Sequence, residues 1–170
     1  MAAAPAGDEW EPHDVSVRNF IFGDVWLLTL PMGRAWEWRR GPSLPEVDST
    51  VRRGNRMCAA SGRAWYALHD RDSGYDCELT IDIRPGAETG GWERWTRGLE
   101  TSAATIGSHD GRVARGRTHR GLIRRVELQL LRAEVGCPLT ERLVRVEFVG
   151  NARDEIMDQL QAGLAHLRCH

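Results

Sequence analysis

The chain has 170 residues, which is enough for one domain with a buried core, and its 41% hydrophobic and 28% charged residues are typical of a globular protein. Its net charge of −1 provides no overall field that would attract nucleic acid or an anionic membrane, so neither is predicted as a partner. All 23 basic residues are arginine, which we interpret as codon bias rather than as selection for arginine contacts.

The first residues and the cysteines bear on location. Met1–Gly7 is short and alanine-rich, with neither a basic leader nor a continuous apolar core, and no stretch reaches the apolar length of a membrane span. The four cysteines form no C-x-x-C pair, which favours reduced thiols; they are Cys58, Cys77, Cys137 and Cys169. These features predict a cytoplasmic protein.

Residues 1–14 differ in composition from the rest of the chain, because they are rich in alanine, proline, glycine and acids. Such a composition is typical of a flexible arm, so we place a single folded domain at 15–170. Trp10 is the exception within the arm, and a lone aromatic side chain there is expected to dock on its own domain.

Strand patterns dominate the first half of the domain. Val15–Phe22 alternates weakly, and Val25–Leu30 is a stronger strand pattern that ends at a proline. Residues 41–56 contain proline, glycine and polar side chains and are predicted to form a loop. Two further strands are predicted over Met57–His69 and 77–84, where apolar and polar residues alternate.

The middle of the chain carries an apolar spacing typical of a helix. Apolar residues recur at steps of three and four, at Trp92, Trp95, Leu99, Ala103 and Ile106. This spacing predicts an amphipathic helix of about four turns over Trp92–Ile106, which Gly107 and its polar neighbours would end.

The last fifty residues predict two strands and a helix. Apolar and polar residues alternate over Gly121–Leu131 and again over Leu143–Val149. Asn151 can then cap a helix whose apolar stripe comprises Ile156, Leu160, Leu164 and Leu167. Because the connections between strands are short, the strands must pair in antiparallel fashion. We therefore predict an α+β fold, with an antiparallel β-sheet packed against an amphipathic helix in mid-chain and a C-terminal helix.

This order of elements resembles the PsbP-like group, which includes photosystem extrinsic proteins, bacterial lipoproteins of the DcrB type and chaperones of type VI secretion effectors. Phe22–Trp36 is similar to the group's opening phrase of strand, Leu-Pro, Gly and Trp. Trp92–Ile106 stands where its middle helix would, and Val146–Arg168 is similar to its closing strand and helix. The chain departs from the group in lacking an export signal and in its long, arginine-rich 41–63 connection. The resemblance implies a non-enzymatic binding protein and transfers no catalytic residues.

Side chains that could carry catalysis are scattered. Candidate bases and nucleophiles are His69-Asp70, His109-Asp110, Ser73, Ser108 and Cys137. Nothing in the sequence brings them within reach of one another, and no G-x-S-x-G, H-E-x-x-H or P-loop pattern occurs. We predict no catalytic residue, and the interpretation leans against an enzyme.

Two segments offer residue types that bind metals. Asp70–Asp76 is rich in aspartate, but its glycine stands at position five and residue 81 is isoleucine, so the spacing of an EF-hand is not met. Cys169 and His170 are adjacent, and we interpret them as accidental neighbours. We predict no metal ligand and no cofactor.

The densest positive charge lies between Arg112 and Arg125, where six arginines and one histidine occur. Alternation along a strand would split these arginines between two faces, and no aromatic residue is interleaved. A solvated strand edge is the favoured interpretation. If the segment does bind a partner, an acidic protein is preferred over nucleic acid, with Arg115 and Arg117 as contacts.

Trp36 and Trp38 lie among Arg34, Arg39 and Arg40, a composition typical of interface hot spots. Core packing is the equal alternative, because alternate residues of a strand are buried together. We predict a non-catalytic protein-binding module, such as an adaptor, a chaperone or an immunity protein, which binds another protein or a second copy of itself. The alternative is a small enzyme or small-molecule-binding protein with a pocket between the sheet and the mid-chain helix.

Overall fold

The computed structural model describes residues 10–19, 23–40, 46–53, 56–86, 91–151 and 153–170. Within them, ten strands form one mixed sheet and two short helices accompany it. The strands are β1 (Trp10–Asn19), β2 (Gly23–Gly33), β3 (Trp36–Arg40), β4 (Glu46–Arg53), β5 (Arg56–Asp70), β6 (Tyr75–Pro85), β7 (Glu100–Ile106), β8 (His109–Arg120), β9 (Val126–Cys137) and β10 (Arg142–Asn151). The helices are α1 (Trp92–Trp95) and α2 (Asp154–Leu164).

The strands follow the order β1-β2-β5-β6-β10-β9-β8-β7 across the sheet, and β3 and β4 both pair with β5. All of these pairs are antiparallel except β2 and β5, which pair in parallel at Trp26 and Cys58. The 165–170 segment returns to β2, where the backbones of Thr29 and Arg168 exchange hydrogen bonds of 2.9 and 2.8 Å. The residues after α2 are thereby fixed to the sheet.

The main core lies between α2 and the sheet. Alternate residues of the central strands are buried, and α2 contributes its own apolar stripe, including Ile156, Leu160 and Leu164. In β2 every residue over 25–32 is buried, so both faces of that strand are covered.

The opposite face of β8, β9 and β10 carries charges that are covered by α1. Glu134 is buried and accepts hydrogen bonds from Arg112 and Arg145. The guanidinium groups of these arginines stack on tryptophan rings, at 4.6 Å from Trp92 and 5.0 Å from Trp95. These five residues form a second packed layer beneath the single turn of α1, and we call it the Arg–Glu–Trp layer.

The predicted α+β class is wrong, because strands account for most of the described residues. Trp92–Ile106, predicted as one helix, comprises a single helical turn followed by strand β7. The helix ends at Trp95, and Gly98, with φ +79°, adopts a left-handed conformation in the turn between α1 and β7. β-branched side chains at Thr101 and Thr105 then favour an extended chain, and β7 pairs with β8 along its whole length.

Other predicted elements are confirmed with changed bounds. The strand patterns at 25–30, 57–69, 77–84 and 143–149 lie within β2, β5, β6 and β10, and the predicted apolar stripe of α2 is buried. However, β9 begins at Val126 rather than Gly121, and the arginine-rich segment, interpreted as a solvated strand edge, overlaps β8, which pairs with both β7 and β9 and so is not an edge strand.

Two boundary predictions are wrong. Residues 46–53 of the predicted 41–56 loop form β4, while 41–45 and 54–55 lie outside the described residues. Asn151 ends β10 and does not cap α2, whose N-cap position is Arg153 without a side-chain cap hydrogen bond.

The predicted N-terminal arm overlaps the sheet, because β1 begins at Trp10. The Trp10 ring packs against Gly163 of α2, and residues 1–9 lie outside the described part of the chain. Among the residues that the structure describes, neither helix is long and apolar enough to cross a membrane.

Candidate metal centre

Four side chains with metal-binding atoms meet at one end of the sheet. They are His109, Cys137, Cys169 and His170, which we call the Cys2His2 cluster. Each contributes one ligand atom, and the four atoms all lie within 4.8 Å of one another. Both cysteines are 2% exposed, whereas His109 is half-buried and His170 is exposed.

The β8–β9 hairpin supplies the first two side chains. His109 begins β8 and Cys137 ends β9, and the antiparallel register, in which Gly111 faces Val135, places His109 opposite Cys137. Strand ends that lie opposite each other bring a histidine and a cysteine together although 27 residues separate them in the chain.

The 165–170 segment supplies the other two side chains. Arg142, on β10, is buried and donates a hydrogen bond of 2.6 Å from Nη2 to the Cys169 carbonyl oxygen. Its Nη1 donates to the Ala59 carbonyl oxygen at 2.8 Å, so this arginine ties the segment to two strands. Together with the Thr29–Arg168 backbone pair, it sets the position of Cys169.

The turn between β7 and β8 closes against the same segment. Gly107 has φ +61° and donates a backbone hydrogen bond of 2.9 Å to the Leu164 carbonyl oxygen. A Cβ atom at this position would collide with the carbonyl oxygen of Leu167. Glycine is therefore required both for the backbone conformation and for the close approach that brings His109 to the cluster.

Four of the six distances between the ligand atoms are close to those of a tetrahedral zinc site, and the other two are at most 4.8 Å. The His170 Nδ1 atom lies 3.6 Å from both Cys137 Sγ and Cys169 Sγ, and His109 Nε2 lies 3.9 Å from Cys137 Sγ and 3.5 Å from His170 Nδ1. Zinc bonds of ~2.3 Å to sulfur and ~2.0 Å to nitrogen give a tetrahedron with edges of about 3.3–3.8 Å. The cluster is thus close to the size that the ion requires.

The two thiols differ in their proton affinity. Burial alone would raise the pKa of Cys137, but hydrogen bonds from Cys169, Thr140 and Leu139 outweigh it and lower the pKa below its ordinary value. Leu139 and Thr140 donate from the turn after β9, and donors of this kind stabilise a metal-bound thiolate. Burial, and then the neighbouring Cys137, raise the pKa of Cys169 to about 12.

The donor set indicates which cation fits. Two sulfur and two imidazole ligands in a tetrahedral arrangement suit zinc, whereas calcium and magnesium take oxygen ligands. Four protein ligands complete the tetrahedron, which is the pattern of structural zinc sites; catalytic sites usually keep one position for water or substrate.

The candidate catalytic groups are only partly brought together. The structure places His109 beside Cys137, a nucleophile–base arrangement, but the Cys137 thiol is buried and not exposed to a substrate. His69 pairs with Asp76 at 2.7 Å. Asp70 accepts a hydrogen bond of 2.5 Å from Ser73 within the β5–β6 turn, so this aspartate-rich segment forms a turn between two strands.

The predicted partner-binding residues around Trp36 and Trp38 do not form one continuous surface. Trp36 and Arg34 line a cleft of about 610 Å³ between the β2–β3 turn and α2, with Trp10 and Arg153 on its other sides. Trp38 lies outside that cleft.

Trp38 packs at the margin of the core, with its ring 5.3 Å from that of Tyr66. Arg39 is exposed and lies 3.4 Å from Glu37. Arg40 ends β3, and its side chain lies outside the described residues.

Ion pairs occupy most of the Arg112–Arg125 run. Arg112 pairs with Glu134 on the α1 face of β8, and Arg115 pairs with Asp158 of α2 at 2.5 Å on the other face. Arg117 pairs with Glu127, also at 2.5 Å. The run is therefore split between two faces and largely neutralised.

No protein-family model and no curated protein matches the chain. The resemblance to the PsbP-like group therefore stays a prediction. The proposed function therefore rests on the geometry of the protein's own side chains.

Sequence reasoning missed the Cys2His2 cluster because its members lie far apart in the chain. Only Cys169 and His170 were visible as a pair, and they were interpreted as accidental neighbours. The other two ligands needed the β8–β9 pairing, and neither the bounds nor the pairing partner of a strand in the arginine-rich segment had been predicted. The only local signal would have been a histidine at the beginning of a predicted hairpin and a cysteine at its end, as His109 and Cys137 are in β8 and β9.

Proposed function

We propose that this chain is a zinc-binding protein in which the metal has a structural role. The observation that carries the proposal is the Cys2His2 cluster, with four ligand atoms within 4.8 Å. Zinc there would join the β8–β9 hairpin to the 165–170 segment, next to the place where Gly107 of the β7–β8 turn donates to the Leu164 carbonyl oxygen of α2. The metal would act as a cross-link of the fold.

A structural role is preferred to a catalytic one for two reasons. Both thiols are 2% exposed, and four protein ligands leave no coordination position for a substrate. The Arg142 contact with the Cys169 backbone supports the ligand segment from behind, as outer-shell contacts do in structural sites.

Metal content and cobalt spectroscopy test the proposal. The purified full chain, reduced and loaded with zinc, should retain one equivalent after gel filtration. Cobalt in place of zinc should give the intense visible bands of a tetrahedral site together with thiolate charge-transfer bands. Cys137→Ser and His109→Ala should each lose both signals.

Matched variants outside the cluster serve as controls. Cys77→Ser removes another buried thiol and His166→Ala removes an exposed imidazole within the 165–170 segment itself, so both should keep the full metal content. Retention of zinc by Cys137→Ser, or equal loss in the control variants, would show that the ion binds elsewhere.

Protein binding is a second candidate function, favoured by the cleft between the β2–β3 turn and α2. This cleft combines aromatic walls, Trp10 and Trp36, with the cationic side chains Arg34 and Arg153, and it is also lined by Asp70, Asp72 and Glu155. Buried aromatic anchors beside arginine are the composition in which interface hot spots concentrate. We propose this role as non-catalytic, in line with an adaptor or a chaperone.

Affinity capture from the native host addresses the second candidate. A stoichiometric partner should be retained by the wild-type chain and lost with Arg34→Glu, Arg153→Glu. Arg97→Glu, at an exposed site away from the cleft, should retain it. Recovery of background proteins alone, or loss with the control as well, would count against the cleft.

A further inference from the structure

The end of the β8–β9 hairpin exposes two adjacent aliphatic side chains. Leu122 and Ile123 lie in the connection between the strands and are 104% and 103% exposed. Among the described residues, only two other large apolar side chains are exposed, Val126 and Leu139, and both are about half covered. A fully exposed aliphatic pair at one point of the surface marks an interaction site.

Unpaired positive charge surrounds this pair. Arg124 and Arg125 are exposed and make no ion pair with any residue that the structure describes. Arg120, on the other side of the connection, pairs with Glu78 at 2.8 Å. The whole 118–126 stretch contains three arginines and no acidic residue. We call residues 120–126 the hairpin tip.

We propose that the hairpin tip binds the surface of an anionic lipid bilayer. Leu122 and Ile123 enter the boundary between headgroups and acyl chains, while Arg124 and Arg125 bind lipid phosphates, for which the guanidinium fork is well suited. The binding is peripheral, and it needs both the apolar and the electrostatic contribution because neither alone gives stable attachment.

A bilayer fits the tip better than a protein partner does. The tip is a narrow protrusion, and a specific protein interface requires about 800 Å² from each partner. A fluid lipid surface accepts an aliphatic protrusion without a preformed pocket. The net charge of −1 had argued against a membrane partner, but within the Arg112–Arg125 run ion pairs neutralise Arg112, Arg115 and Arg117 and leave the positive charge of the tip uncompensated.

Vesicle cosedimentation with the full, zinc-loaded chain tests the proposal. Vesicles of phosphatidylcholine mixed with phosphatidylserine (about 7:3) should retain the protein, and retention should fall as salt rises. Phosphatidylcholine vesicles should not retain it. Leu122→Ser, Ile123→Ser should abolish retention, and Arg124→Ser, Arg125→Ser should weaken it roughly 20-fold, about fivefold for each arginine.

Two control variants test whether retention depends on the hairpin tip or on any exposed apolar or cationic residue. Ala103→Ser changes an exposed apolar residue of β7, and Arg94→Ser, Arg97→Ser removes two exposed arginines near α1; both should leave retention unchanged. Zinc content reports that each variant is folded.

Three outcomes overturn the proposal. The first is a wild-type chain that stays in solution with anionic vesicles at low salt. The second is retention that the tip variants do not change. The third is binding to soluble polyglutamate as strong as that to vesicles, which would assign the tip to an acidic protein.

Discussion

Glu134 and Arg145 form a buried ion pair, with Arg145 Nε donating to Glu134 Oε2 at 2.6 Å. Glu134 is 2% exposed, and its other oxygen accepts a bond of 2.7 Å from Arg112. The two arginines in turn stack on Trp92 and Trp95, which close the layer against solvent. One buried carboxylate therefore connects β8, β9, β10 and α1.

Removing that carboxylate should destabilise the fold strongly. Glu134→Ala leaves two largely enclosed guanidinium groups without their shared partner, and breaking a buried pair in this way costs about 3–5 kcal/mol. Urea denaturation followed by tryptophan fluorescence measures the free energy of unfolding. Glu127→Ala, which breaks the exposed pair with Arg117, is the matched control and should cost less than about 1 kcal/mol. Equal costs for the two variants would contradict the importance of the layer.

Zinc should raise the stability of the wild-type chain and not that of a ligand variant. Because the proposed ion binds only the folded chain, zinc at about 1,000 times its dissociation constant should add about 4 kcal/mol to the free energy of unfolding. Cys169→Ser should gain nothing, whereas Cys77→Ser should keep the zinc-dependent gain even if burial makes the substitution costly. Thermal unfolding with zinc and with chelator gives the comparison. A gain in Cys169→Ser would remove this thiol from the site.

Gly107→Ala should weaken zinc binding as well as the fold. The new Cβ would meet the Leu167 carbonyl oxygen, and the left-handed backbone adds strain, together costing about 1–3 kcal/mol. Because Leu167 lies two residues before Cys169, the collision should also displace the cluster.

Gly98→Ala is the control for Gly107→Ala. Its φ of +79° imposes similar strain, but a Cβ there would have open space around it. This variant should therefore lose stability, by about 1 kcal/mol, without a change in zinc affinity. A competition titration against a chromophoric chelator measures the affinity, and unchanged zinc affinity in Gly107→Ala would refute the coupling.

Alkaline pH should destabilise the protein in part through Cys77. Burial, followed by the charges of Asp76 and Glu78, raises the pKa of this thiol from 9.0 to about 12. The protonated thiol thus contributes stability that is complete below pH 9, where the unfolded chain is also protonated, and is lost as pH rises towards about 12.

The slope of stability against pH tests this assignment. Each thiol of this kind contributes up to about 1.4 kcal/mol per pH unit within that window. Cys77→Ala should therefore show a shallower fall in the free energy of unfolding between pH 9 and 10.5 than the wild-type chain. Identical slopes under reducing conditions would mean that other groups, such as Tyr75, whose pKa burial also raises, account for the effect.

Alternation of apolar and polar residues was a reliable guide wherever a strand has one buried face. It located β5, β6 and β10, and helical spacing located α2, because in these elements burial follows the geometry of the element. It failed at Trp92–Ile106, where five apolar residues matched a helix by spacing alone and Ala103 is exposed. There the glycine at 98 and pairing with β8 outweighed the pattern.

The candidate site was less accessible to sequence reasoning than the fold. Cys137 and His109 were noted only as isolated catalytic candidates, and their contact depends on which strands pair and in which register. The hairpin tip was likewise hidden, since the Arg112–Arg125 run was treated as one solvated strand edge whose arginines alternate between two faces. Which arginines are neutralised depends on partners as distant as Glu78 and Asp158.

The amino-acid sequence by itself determined the local properties of this protein: strands with one apolar face, an amphipathic helix over 154–164, reduced thiols and a balanced charge. Those properties depend on neighbours within a few residues, which alternation and composition report directly. The tertiary structure decided what the residues do together. The order of the strands and the return of the 165–170 segment to β2 bring two cysteines and two histidines within bonding distance of one ion. Such long-range contacts arise from pairing and core packing across the whole chain, and no local pattern encodes them.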